Sequence, residues 1–403
     1  MKSNVRPVYL MISSYFPTIE EPWRCSFVFD LAHAVQKDGR YEVVVVKPDS
    51  QESYDFRGIH VVGFQHMTTG GWLCPRLFAV INSRRMMIAL ERDGVDVNRI
   101  AVVHGQLVPM ASYLIAIKKA NRKAKTILQF QDPDPYGMLF GTGRFGIFKK
   151  LRWFLYHRSL VERMDMLVGI SRNVSKVVLE APHQTVYNTY APMLAAMHDL
   201  RHCRSARVKN IYTLHNAVNH EIFNALGRTK HDGFVVGCVA VFRDWKDQLT
   251  LLKAIDLIKE KIPDLRVRLV GVHHSGTMLE DCKRFIKNKN LPVDIIPSFD
   301  HRELPNFYRS LDLFVLPSYF EGFGCVFTEA WNCGTPFMTC EGQAMDDLIF
   351  NEDRGLWLCR QGDYVNLADK ILYFYNNRPE QRLSGETDID ILVPQFINKI
   401  DRI

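Results

Sequence analysis

Two short segments in the second half of this 403-residue sequence carry side chains whose types and spacing suit phosphate and sugar chemistry. The first runs from Pro317 through Glu321, Gly322, Phe323, Gly324, Cys325 and Glu329 to Gly334 and Pro336. Glycine at 322 and 324 lets the backbone approach a ligand closely. The residues that follow have helical character and stop at Gly334, just ahead of Pro336. A helix opened by such a turn favours phosphate oxygens at its N-terminus. Glu321 falls in the turn and Glu329 about one and a half turns into the helix. A carboxylate accepts hydrogen bonds from a pair of sugar hydroxyls, so both glutamates suit ribose or hexose recognition. An ordinary strand-turn-helix with two solvated glutamates has the same outline. The second segment, 239–254, places Arg243 and Lys246 at a strand-to-helix turn. Arginine offers a planar fork and lysine a point charge, and both suit a diphosphate. A departing diphosphate gathers negative charge, which preorganised cations and amides stabilise. A solvated helix start is the plainer reading of the same residues.

The elements that must position these groups are short apolar runs alternating with segments of helical period. Strands are predicted at 8–13, 41–46, 100–104, 126–130 and 166–170, and in a second series at 235–239, 267–271, 293–296 and 313–316. Continuous apolar strands separated by helices mean parallel sheets covered on both faces. The expected class is therefore α/β, with two doubly wound, Rossmann-like domains facing each other across a cleft. Ligands of such sheets bind beyond the carboxyl ends of the strands. Polar residues interrupt the pattern around 219–233. The expected division is 1–218, 219–385 and a C-terminal tail, 386–403, that crosses back to the first domain.

Composition narrows the setting. The chain is 47% hydrophobic and 24% charged, as in soluble globular proteins. No apolar run approaches the ~18–20 residues of a membrane-spanning helix. The apolar run near the N-terminus is short and has no small-residue cleavage site, so it reads as a first strand rather than a signal peptide. Nine cysteines without a C-x-x-C pair argue for reduced thiols rather than disulfides or zinc. A cytoplasmic protein is expected. The net charge of +7 favours anionic ligands or an anionic membrane surface and does not demand nucleic acid.

The string 317–336 resembles the signature of glycosyltransferase family 4, of the GT-B fold: two glutamates eight positions apart, with Gly-Phe-Gly after the first. The resemblance covers about residues 8–375 and is close from 235 to 336. It implies retaining transfer of a sugar from a nucleotide diphosphate donor, most simply UDP, with no cofactor and no metal. By this resemblance Glu321 contacts the transferred sugar and Glu329 the ribose hydroxyls. The amides of Phe323, Gly324 and Cys325 lie near the sugar and diphosphate. Lys246 falls on the family's lysine. Arg243 stands three residues before it, whereas many members carry the arginine five before, at the position of Val241. The segment 214–223 resembles the family's interdomain junction, with Ala217 and Asn219 in place of Gly and Asp. Gly271 ends a strand as the family's donor-base loop does.

The first half resembles the family less closely. The turn from Trp23 to Ser26 lacks the family's glycines, and Arg24 either supplies charge there or is a surface residue. Gln131 and Asp132 stand where the family often has histidine and an acid. Gln131 cannot shuttle protons, so sugar binding is the role open to either residue. His104 faces the expected cleft, although a solitary histidine more often serves the fold. The implied acceptor is a glycan or a lipid-linked sugar, since members often act on such substrates. The basic aromatic stretch 141–160 and the run from Arg84 to Met87 suit peripheral contact with an anionic membrane, or equally a helix with its apolar face in the core. The segment from Glu341 to Ile349 resembles variants in bacterial surface-polysaccharide enzymes. Rival readings are another enzyme of the fold, such as an epimerase or phosphorylase, and an inactive subunit that only binds nucleotide sugars.

Overall fold

The computed structural model describes residues 5–22, 25–67, 75–131, 156, 158–172, 174–175, 210–228, 231–298 and 300–403. Arg24, Asp132 and most of the stretch 141–160 lie outside them. The described residues form two compact units. One takes those up to Ala217 together with Asp388–Ile403, and the other takes Val218–Thr387.

The first unit is built on β1 (Val8–Ile12), β2 (Glu42–Pro48), β3 (Tyr54–Phe56), β4 (Ile59–Phe64), β5 (Ile100–Gln106), β6 (Lys125–Phe130), β7 (Met166–Gly169) and β8 (Ile211–Thr213). They make one sheet in the order β3-β4-β2-β1-β5-β6-β7-β8, parallel except for the β3–β4 hairpin. The hairpin turns on Arg57 and Gly58, both at positive φ (49° and 84°), as a tight two-residue connection requires. The alternating apolar residues of β1, β2 and β5 meet a cluster with α1 (Ser26–Asp38) on one face. Elsewhere α2 (Pro75–Arg92) and α3 (Ala111–Ala120) pack on each other and against β4, β5 and β6.

The second unit carries β9 (Phe234–Val239), β10 (Leu265–Val270), β11 (Val293–Ile296), β12 (Leu313–Leu316), β13 (Phe337–Cys340) and β14 (Leu358–Cys359). The order is β11-β10-β9-β12-β13-β14, and every pair is parallel. Counted within the unit this is 3-2-1-4-5-6, the doubly wound order that reverses between its first and fourth strands. Its helices are α4 (Gln248–Ile258), α5 (Met278–Lys289), α6 (Leu304–Arg309), α7 (Cys325–Asn332) and α8 (Tyr364–Asn377). Parallel strands need crossovers, and α4 to α7 supply those from β9 to β13, while α8 follows the last strand.

The last helix, α9 (Ile389–Asp401), returns to the first unit. Ile389, Val393, Phe396, Ile397 and Ile400 form one apolar stripe, all buried in the cluster that contains α1. Burial of each such side chain is worth roughly 1.5–3 kcal/mol. Polar contacts seat the same helix: Lys37 Nζ lies 2.6 Å from Asp390, Arg40 reaches Asp401 at 3.0 Å, and Lys125 donates to the Ile400 carbonyl at 2.8 Å. All nine strands predicted from apolar runs are present, with ends shifted by at most two residues. Edge strands β3, β8 and β14 are only two or three residues long, below what periodicity resolves.

Candidate active site

The reversal between β9 and β12 brings the two chemical segments together, because the strands are neighbours and each ends in a turn at its carboxyl side. After β9 the chain passes Arg243, makes a single 3-10 turn at Asp244–Lys246, and enters α4 through Asp247. After β12 it passes Ser318 to Glu321 and enters α7 through Gly324. Lys246 Nζ donates to Glu321 Oε1 at 2.6 Å. Their side chains are only 18% and 8% exposed. The same carboxylate oxygen accepts from Ser318 Oγ at 2.7 Å. Tyr319 N donates to the Trp245 carbonyl at 2.8 Å, so the turns are also stitched through backbone.

Gln343, just beyond β13, fixes the Glu321 turn from the other side. Its Oε1 accepts from Glu321 N and its Nε2 donates to the Tyr319 carbonyl, both at 2.7 Å. Gly324 has φ 83° and closes against the Phe327 ring, where a Cβ would lie 2.7 Å from the ring edge. Here glycine is required twice over, by dihedral and by space. Gly322, Phe323 and Cys325 stand at this start of α7, where Phe327 N donates to the Gly324 carbonyl at 3.0 Å. Glu329, in α7, accepts from the fully buried Tyr308 hydroxyl at 2.9 Å. Gly271 follows β10, and a Cβ there would sit 2.0 Å from the Ala240 carbonyl oxygen. Close packing of the chain after β9 on the chain after β10 therefore accounts for this glycine.

Asp247 stands beside the ion pair in the left-handed region at φ 48° and is 8% exposed. Burial pushes its carboxyl up to about 6, against hydrogen bonds from Thr250 and Tyr319 that pull it down. Ser318, Gln343, Tyr308, Trp245 and Asp247 are the residues that sequence reasoning left without a role. Ser318 and Asp247 adjoin residues already singled out. Gln343 and Tyr308 reach the site only through tertiary contact.

In the first unit, Gln131 Nε2 donates to Gln106 Oε1, Gln106 Nε2 donates to Gln129 Oε1 at 3.2 Å, and Asn216 Nδ2 donates to Gln131 Oε1 at 3.3 Å. This chain of amides lies at the carboxyl ends of β5 and β6. Next to it Leu107 adopts φ 73° and ψ 154°, a region reserved almost wholly for glycine. Cys25, at the start of α1, also takes a left-handed conformation at φ 54°, in the turn where the resembled family has glycine.

His104 has a different place from the one expected. Strand β5 runs on to Gln106, so His104 lies within it and is fully buried. Its Nδ1 is 2.7 Å from the Tyr9 hydroxyl, and its ring lies 5.9 Å from that of Phe396 in α9. With no exposed surface it cannot meet a sugar. Burial holds its pKa down to about 3, against 6.5 for a free histidine. The unfolded chain therefore takes up a proton between these values and the folded chain does not. Stability from this group is complete above 6.5 and is lost as pH falls through the window. Relative to a neutral His104→Asn variant, the wild type should lose about 2 kcal/mol between pH 6.5 and pH 5. Denaturant melts at both pH values measure this, and a difference independent of pH would refute it.

Among the described residues no helix is long and apolar enough to cross a membrane. The family model described as "Glycosyl transferases group 1" matches residues 220–387. A capsular polysaccharide biosynthesis glycosyltransferase, CapM of Staphylococcus aureus, is 22% identical over 332 residues, 77% of this chain and 86% of that protein. A D-inositol 3-phosphate glycosyltransferase of Arthrobacter sp. is 34% identical over 116 residues, 28% of this chain and 27% of that one. Among solved structures, a sucrose-phosphate synthase from Thermosynechococcus elongatus superposes with TM-score 0.72 at 14% identity, covering 98% of this chain and 99% of that one. HepE of Anabaena, in complex with UDP, superposes with TM-score 0.66 at 15% identity, covering 98% and 100%.

Proposed function

We propose that the chain is a glycosyltransferase of the GT-B type, with its group 1 domain at residues 220–387, and that it moves a sugar from a UDP-linked donor to a glycan or lipid-linked acceptor with retention. One observation carries this reading: Lys246 and Glu321 meet at 2.6 Å where the second sheet reverses its strand order, beside the start of α7. A cation, a carboxylate and a helix N-terminus at a switch point form a cradle for a sugar diphosphate. The ion pair holds both groups in place until a donor arrives. The diphosphate then takes over the lysine charge and the sugar hydroxyls take over the carboxylate. Arg243 adds a second cation. Glu329, steadied by Tyr308, takes the ribose hydroxyls, and the chain around Gly271 takes the base.

Uridine is favoured because the similar HepE was crystallised with UDP. A surface-polysaccharide acceptor is favoured because CapM bears a capsular polysaccharide name. With two cations at the turn, the reaction runs without a metal and turnover survives a chelator. The first unit holds the acceptor, with Gln131 its best-placed described residue. Arg24 and Asp132 remain candidates for the same task.

A thermal-shift screen of nucleotides and nucleotide sugars tests this. Ligand at about 100 times its Kd adds ~2.7 kcal/mol, a rise of the midpoint on the order of 5–10 °C. UDP should produce it, and slow release of UDP from UDP-sugar should accompany it. An inactive subunit would show the shift without the release. A chain that no nucleotide stabilises is not a UDP-sugar transferase.

The protein works in the cytoplasm, against the inner face of the membrane. The helix α2 supports this, since Leu77, Val80 and Ile88 are exposed along one stripe that also bears Arg84, with Arg76 and Arg85 alongside. Co-sedimentation with phosphatidylglycerol vesicles is expected, and a variant with serine at 77, 80 and 88 should stay in the supernatant. Wild type that also stays there ends this part of the proposal.

A further inference from the structure

Arg243 departs from the spacing of the resembled family, and the structure shows what surrounds it instead. The chain after β9 is zipped to the chain after β10 beyond the ends of the strands. Ala240 N donates to the Val270 carbonyl and Phe242 N to that of Val272, each at 3.0 Å, and Phe242 forms a parallel bridge with His273. The packing of Gly271 on Ala240 permits this approach. Gly276, at φ 81°, turns the loop back so that its Cα faces the Asp244 carboxylate. His274 is thereby delivered to Arg243, with its Nδ1 2.6 Å from Nη2. The guanidinium also lies over the Trp245 ring at 4.4 Å from its centroid. The same Nη2 lies 3.3 Å from His274 Nε2, so the guanidinium sits against the imidazole as a whole. A flexible four-bond stem is thus held between the Trp245 ring and the His274 imidazole.

We propose that His274 is a positioning residue that, together with Trp245, aims Arg243 at the donor diphosphate. The clamp rests on the reading of this turn as the diphosphate site. It does for a displaced arginine what correct spacing along the chain would otherwise do. The guanidinium arrives already ordered, so less side-chain freedom is lost when phosphate binds. His274 itself need not touch the donor.

Titration calorimetry of the full chain with UDP and with uridine tests this. His274→Ala should weaken UDP about tenfold and leave uridine unchanged, because uridine lacks the diphosphate. His274→Gln keeps an acceptor for Nη2 and should recover most of the UDP affinity. In an Arg243→Ala background, His274→Ala should have no further effect, since the two residues act as one unit. Equal losses for UDP and uridine, additive losses in the double variant, or UDP binding unchanged by His274→Ala would each overturn the clamp. Wild type that binds UDP while His274→Ala binds equally well sinks the clamp alone. Wild type indifferent to UDP sinks the donor reading and takes the clamp with it.

Discussion

Replacement of Lys246 by methionine is expected to abolish UDP binding at millimolar concentration and to cut donor turnover roughly 100- to 1000-fold, the range seen when one preorganised donor is removed from a developing charge. Methionine keeps the length of the apolar stem and removes only the charge. The effect on stability needs separating from the effect on binding. Glu321 is 8% exposed, and without Lys246 its carboxylate keeps Ser318 as its side-chain donor among the described residues. Breaking a buried pair costs about 3–5 kcal/mol when one charge is left behind, and partial exposure here puts the loss at the lower end. The double variant Lys246→Met with Glu321→Gln leaves no orphan charge. It should regain most of the lost melting temperature and none of the lost UDP affinity. Calorimetry beside thermal melts reads both. Full UDP binding by Lys246→Met would remove the lysine from the phosphate site.

Glu321→Gln alone should separate the sugar from the phosphate. Glutamine is isosteric, still accepts from Ser318, and leaves the backbone contact with Gln343 in place. Lys246 loses its charge partner and becomes fully available to phosphate. UDP should therefore bind at least as tightly as to wild type, within a few-fold. Transfer should fall by ~100-fold or more, because a charged acceptor of the sugar hydroxyls has become a neutral one, and hydrogen bonds to charged groups are about twice as strong. The informative pattern is opposite movement of affinity and rate. A variant that transfers sugar at the wild-type rate would show that the carboxylate serves the fold rather than the reaction.

The two segments that carry the site were legible because their chemistry is local. Glu321, Gly322 and Gly324 lie within four residues of one another, and Arg243 and Lys246 within four. The glycine dihedral at 324, the helix that follows and the stop at Gly334 (φ 82°) are properties of a few consecutive residues. His104 was harder to place, because its exposure depends on Tyr9 in the neighbouring strand and Phe396 almost 300 positions away. Gln343 was visible only as part of the segment from Glu341 to Ile349, with no role of its own. Its hold on the Glu321 turn spans 22 positions, with nothing in spacing to announce it. The His274 grip on Arg243 is of the same kind, across 31 positions.

By itself the sequence determined the α/β alternation, the two sheets and the pairing of a cationic turn with a glutamate turn. Apolar periodicity and glycine placement act over short range, and these features depend on little else. Only the tertiary structure decided that the two turns touch, because contact follows from β9 and β12 lying side by side at the reversal of strand order. It also decided which polar side chains are buried partners and which face solvent. Burial and hydrogen-bond partnership are set by residues distant in the chain, and no spacing rule encodes them.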